Sequence, residues 1–177
     1  MLFLAVVVGL AACSRPGASD GHAAGVDVDA TGDSARPDVP RSVPLQEFVV
    51  AFHKASAAAG HAVDGRYQFP AIWLYTPAGR LHSRVDDEAA LARLSGTFAA
   101  ADPEQAGLDS LGREDVATIL ADFGTPPPPP SGRWTALVLL DASECGPTGC
   151  GPWGAAADAL LEAHPDSLDI VRVALAK

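Results

Sequence analysis

The stretch Thr135-Ala136-Leu137-Val138-Leu139-Leu140 runs without polar alternation, the pattern of a strand covered on both faces. It leads into Asp141–Trp153, a glycine- and proline-rich passage carrying Cys145 and Cys150. Ala156, Leu160, Leu161 and Ala163 then mark a helix, with Pro152 suited to its first position. Leu168 to Leu175 reads as another strand. Strand, helix, strand with short connections is a βαβ unit, right-handed by the general rule. It requires parallel strands in a sheet shielded by helices.

Upstream, Leu45, Phe48, Val49 and Phe52 follow i, i+3, i+4, i+7, one stripe of an amphipathic helix. Ser42 is its candidate N-cap, Pro44 fits the first turn, and Gly60 stops it. His53 and His61, on its polar side and at its end, read as surface histidines. Phe69–Tyr75 is β-rich, Thr76-Pro77-Ala78-Gly79 is turn chemistry, and Leu81, Ser83 and Val85 alternate against Arg80, His82 and Arg84. These predict an antiparallel hairpin. Asp86 or Asp87 can cap a following helix with apolar positions Leu91, Leu94 and Phe98. After the polar stretch Ala99–Asp109, Val116, Ile119, Leu120 and Phe123 repeat the helical stripe, between a possible Ser110 cap and a Gly124 stop. Pro126–Pro130 predicts polyproline II geometry over roughly 15 Å, at about 3.1 Å per residue. It reads as a stiff spacer, with a ligand for a proline-recognition groove as the alternative.

Composition narrows the function. The chain has 177 residues and net charge −10, which argues against nucleic acid as a partner because phosphate neutralisation needs clustered Lys and Arg. Alanine makes up about a fifth of the chain, so the 48% apolar fraction overstates the area available to a core. The length still suits one domain with a tail. The sequence holds no Gly-rich phosphate loop, G-x-S-x-G elbow or H-E-x-x-H, and no cofactor is expected.

The three cysteines form an odd number, and the first segment accounts for it. Residues 1–12 carry no charge and hold an apolar run, Leu2–Leu10, too short to span a bilayer and about right for an export signal. The run ends in Leu10-Ala11-Ala12-Cys13, which resembles the lipobox of bacterial lipoproteins. That resemblance implies a signal peptide over 1–12, cleaved before Cys13, and lipidation of Cys13. It also implies a lipid bilayer as partner and a location on the periplasmic side of a bacterial membrane, with Ser14 pointing to the outer membrane. The alternative is a buried strand that ends in cysteine. Residues 13–42 are rich in Ser, Gly, Ala, Asp and Pro without apolar periodicity and read as the lipidated residue and a disordered tether. His22, Asp27, Asp29 and Asp33 read as a solvated linker and not as a metal site. The folded domain is expected over 43–177.

Two cysteines remain. Cys150 falls just ahead of a helix N-terminus, whose partial positive charge favours a thiolate, whereas Glu144 disfavours the thiolate of its neighbour Cys145. If one sulfur is the nucleophile, Cys150 is favoured, with Cys145 as resolving partner. Four intervening residues leave slack for a disulfide with Cα atoms about 5.5 Å apart. A structural disulfide, a redox-active disulfide and metal binding are all readings of such a pair. The spacing does not fit zinc and no histidine is near, so no metal is expected.

Cys145-Gly146-Pro147 and Cys150-Gly151-Pro152 each resemble the start of the Cys-Gly-Pro-Cys motif of thioredoxins, at the same strand-to-helix junction. The spacing here is C-x4-C; Trp153 or Thr148 stands at the motif's second cysteine, and Leu139 where the family buries an aspartate. Phe69–Leu81 resembles that family's cis-proline strand and hairpin, with Pro70 as the proline that packs against the cysteines. This half follows the cysteines in thioredoxins and precedes them here. The resemblance therefore implies an α/β, thioredoxin-like central sheet with flanking helices and its elements circularly permuted, over about 45–98 and 134–176. It implies catalytic roles for Cys145, Cys150 and Pro70 in thiol–disulfide exchange with envelope protein thiols. The alternative is a non-catalytic binding or scaffolding lipoprotein whose Cys145–Cys150 disulfide is structural.

Overall fold

The run that reads as doubly covered lies in the middle of the sheet. The computed structural model describes residues 42–62, 67–105, 107–125 and 132–177. The expected signal segment 1–12, Cys13, nearly all of the tether with His22 and its neighbouring aspartates, and the prolines 126–130 lie outside the described residues.

Strand β4 (Trp134–Asp141) is the third of five in a sheet ordered β1-β7-β4-β2-β3. Here β1 is Ser42–Pro44, β2 Ala71–Tyr75, β3 Leu81–Val85 and β7 Leu168–Ala176. β1, β7 and β4 run parallel, and β2 lies antiparallel to both β4 and β3. Alternate β4 residues enter two cores. Ala136, Val138 and Leu140 pack with Leu94 and Phe98 of helix α3 (Leu94–Ala99) and with Trp153, Ala157 and Leu160 of α5 (Gly151–Ala163). Leu137 and Leu139 face the other way, onto Phe48 and Phe52 of α1 (Leu45–Ala58) and Val116, Ile119 and Leu120 of α4 (Arg113–Asp122). A strand with helices on both faces has no solvent side, so it carries no polar alternation. The fold is mixed α/β, a five-stranded mixed sheet flanked by helices.

The predicted βαβ unit is β4–α5–β7, paired from Trp134↔Leu168 to Asp141↔Leu175. The predicted hairpin is β2–β3, closed by the Thr76 amide donating to the Arg80 carbonyl at 2.9 Å.

Three boundaries differ from the sequence reading. Ser42–Pro44 forms an edge strand on β7 and not the start of a helix, because pairing Val43 with Leu175 buries Val43 completely. The helix expected around Leu91–Phe98 is two short ones, α2 (Glu88–Leu91) and α3. Asp87 caps the first by accepting from the Ala90 amide at 2.7 Å. α3 buries Leu94 and Phe98 in the core, whereas α2 has no fully buried residue and only rests Ala90 and Leu91 against it. Helix α4 starts at Arg113 and not after Ser110, because the hairpin turn captures its first amide: Arg113 N–H donates to the Gly79 carbonyl at 2.8 Å. Ser110 instead accepts from the Arg84 guanidinium at 2.9 Å.

Candidate functional site around Cys145 and Cys150

At the end of β4 the chain enters a short 3-10 turn, Ala142–Glu144. Asp141 caps it, accepting from the Ser143 amide at 3.0 Å and the Ser143 hydroxyl at 2.6 Å. The other carboxylate oxygen of Asp141 accepts from the Lys177 ammonium at 2.6 Å. That Lys177 hydrogen bond, with those from Ser143, holds the Asp141 carboxyl well below the usual carboxylate range. Asp141 in turn raises the Lys177 ammonium.

Beyond the turn, β5 (Cys145–Gly146) and β6 (Gly149–Cys150) form a two-stranded ribbon with Cys145 directly opposite Cys150. The two are joined as a disulfide with Cα atoms 3.9 Å apart. That is closer than the slack loop expected from the spacing, because Pro147 and Thr148 make a two-residue turn that sets the cysteines in register. Cys150 is also the N-cap of α5, with Gly151 first and Pro152 second in the helix. Both cysteines are half-buried against the core that holds Trp153.

Close packing around Cys150 depends on two glycines. A Cβ on Gly154 would stand 3.1 Å from the Cys150 Cβ, and one on Gly151 would stand 2.9 Å from Glu144 Oε2. Glu144 therefore folds over the start of α5, beside Cys150. The sequence reading assigned its charge to Cys145 by adjacency alone; the side chain reaches the Cys150 side as well, so it does not favour Cys150 electrostatically. The two cysteines are equally half-buried and differ in their surroundings instead. An open cleft of about 380 Å³ is lined by Cys150 together with Glu144, Thr148, Gly151, Ala155 and Asp158. Cys145 is not part of that lining.

The Phe69–Pro70 peptide bond is cis. Pro70 immediately precedes the pair Ala71↔Leu139, so it stands at the end of the sheet where β4 delivers the chain to the cysteines. Leu139 is completely buried, and the apolar core has no place there for a carboxylate. Trp153 is likewise a core residue.

The described histidines lie elsewhere. His61 Nδ1 is 2.6 Å from Asp109 Oδ1, and the His53 ring packs on Tyr67 at 5.3 Å between centroids, half-buried and not a free surface group. Among the described residues no three His, Cys, Asp or Glu side chains gather as a metal site. No helix among them is long and apolar enough to cross a membrane. The sequence reading missed Asp158 and Lys177 as neighbours of the site. No local sequence signal marked them: the long-range register Asp141↔Leu175 brings Lys177, two residues further along, within reach of Asp141.

Compared with known proteins, the chain matches no family model, no curated protein and no solved structure.

Proposed function

We propose that this chain is a cell-envelope lipoprotein whose folded part is a thioredoxin-like domain with its halves in exchanged order, acting in thiol–disulfide exchange through Cys145 and Cys150. One observation carries the redox reading. The disulfide is half-exposed at a strand-to-helix junction, and Cys150 opens on a cleft large enough to admit a partner's side chain. Exchange requires that a sulfur be reachable; a disulfide that only pins a loop has no such need. The permuted reading draws support from the sheet. The proline–hairpin half, β2–β3, pairs alongside the cysteine half through β2–β4, and Pro70 lies at the cysteine end of that ladder. In this reading Cys150 attacks, Cys145 resolves, and Pro70 shapes the groove that receives a partner strand. The lipid anchor rests on the motif Leu10-Ala11-Ala12-Cys13, and the partners are envelope protein thiols.

A second reading, a binding or scaffolding lipoprotein with a structural disulfide, is favoured by a different observation. β5 and β6 contribute two residues each, and so short a ribbon does not persist on its own hydrogen bonds.

Equilibration in glutathione buffers, with insulin reduction by wild type and Cys150→Ser, separates the two. The exchange reading expects a potential well above about −300 mV and turnover that Cys150→Ser abolishes. A potential below about −300 mV without exchange activity assigns the disulfide to structure.

A further inference from the structure

We infer that Glu144 makes the Cys150 side of the disulfide selective for partners of positive or zero charge over anionic thiols such as glutathione. The inference rests on the exchange reading and extends it from a reaction to a substrate class.

The cleft defines one route of attack for the partner. Both cysteines are half-exposed, but only Cys150 borders the cleft beside Glu144, so a thiolate entering through that cleft meets Cys150 Sγ. It forms a sulfur–sulfur bond there as the Cys145–Cys150 bond breaks. The electron pair of the broken bond leaves on Cys145, which takes a proton from water. The partner thiol is the reductant, and no other reagent is consumed.

The charge met on the way is that of Glu144. Its carboxylate lies over Gly151 at the cleft wall, and no cation pairs with it among the described residues. The nearby cation, Lys177 at the end of β7, feels Glu144 but is hydrogen-bonded to Asp141 at 2.6 Å. The other carboxylate of the cleft, Asp158 on α5, is paired with Arg172 of β7. Thr148 and Ala155 add no charge. Glu144 is therefore the cleft carboxylate without a salt-bridge partner among the described residues, and a partner's own charge meets it first. At a separation of about 6 Å in a half-exposed cleft, Coulomb's law gives roughly threefold to tenfold in rate per unit charge. Salt near 1 M, with a Debye length of about 3 Å, removes most of it.

The test uses the full chain in its disulfide form, reduced by cysteamine, 2-mercaptoethanol or glutathione, each rate corrected for thiolate fraction. Reduction is followed by mass spectrometry of the peptide carrying Cys145 and Cys150. The readout is the cysteamine-to-glutathione rate ratio, because leaving-group effects on Cys145 cancel within one variant. The two thiols differ by two unit charges, so the ratio is expected between about tenfold and a hundredfold at low salt. It should fall at least threefold in Glu144→Gln, fall similarly for wild type in about 1 M salt, and stay unchanged in Glu162→Gln. Glu162 lies far along α5, roughly 17 Å of helix from Gly151. Normal reduction by 2-mercaptoethanol with the same ratio in wild type and Glu144→Gln overturns this inference and leaves the exchange reading standing. Failure of all three thiols to reduce the pair overturns both.

Discussion

Lys177 Nζ lies 2.6 Å from Asp141 Oδ2, joining the end of β7 to the end of β4 just where the chain turns toward Cys145. The pair ties down the base of the cysteine ribbon from the neighbouring parallel strand. Its pH dependence has a definite sign. The Asp141 carboxyl is held below its ordinary value by Lys177 and Ser143, so its stabilising contribution is present above the unfolded value, about 3.9, and is lost as pH falls through the folded one. The Lys177 ammonium is raised, so its contribution is present below about 10.4 and is lost as pH rises through the folded value. Urea midpoints of wild type and Asp141→Asn should therefore differ by a constant amount between about pH 5 and pH 9 and converge below about pH 4. Parallel profiles down to acid pH would mean that the ion pair contributes nothing.

Reducing the Cys145–Cys150 disulfide should lower stability modestly. The cross-link closes a short loop, five residues apart in sequence, and chain-entropy arguments give about 2 kcal/mol for a loop of that length. Urea denaturation with and without dithiothreitol measures it directly. A loss of about 5 kcal/mol or more would mean that the bond holds β4 and α5 together, not merely the ribbon.

Gly60 and Gly151 have φ of +78° and +63°, and alanine at either should cost about 1–2 kcal/mol from the backbone alone. The positions differ in what they touch. Nothing lies within 4 Å of a Cβ at Gly60, whereas one at Gly151 meets Glu144 Oε2 at 2.9 Å. The Glu144 carboxylate is the free end of a flexible side chain and can swing aside, so thermal denaturation should rank the two variants nearly equal. Only Gly151→Ala should also change the thiol preference at Cys150.

Leu139 is fully buried at the centre of the sheet, opposite Ala71. Leu139→Ala leaves a cavity and should cost about 3 kcal/mol. Val50, on the outer side of α1, is 60% exposed, and Val50→Ala should stay within about 0.5 kcal/mol of wild type. Chemical denaturation of both variants checks whether the doubly covered strand is the mechanical centre of the domain.

Much of this architecture was legible from the chain alone. The unbroken run Thr135–Leu140 predicted a strand shielded on both faces, and Ala136 and Leu137 do enter opposite cores. Local turn chemistry at Thr76–Gly79 predicted the hairpin, and the cap was narrowed to Asp86 or Asp87, of which the structure uses Asp87. Such features are encoded by residues close in sequence, where side-chain period and backbone preference act directly.

Other features depended on segments far apart in sequence. Ser42–Pro44 is a strand only because β7 offers it an edge, a pairing between residues more than a hundred positions apart that no local pattern carries. The sheet order, and with it the approach of Pro70 to the cysteine end of β4, follows from which faces the helices cover.

The cysteine site divides along the same line. Two cysteines between a buried strand and a helix N-terminus can be read from the sequence, because spacing and proline chemistry are local. Their tight cross-strand register, the exposure of Cys150 but not Cys145 to the cleft, the reach of Glu144 over Gly151, and the clasp of Lys177 on Asp141 belong to the tertiary structure. Each needs side chains brought together by sheet register and helix packing, and those are decided by long-range burial.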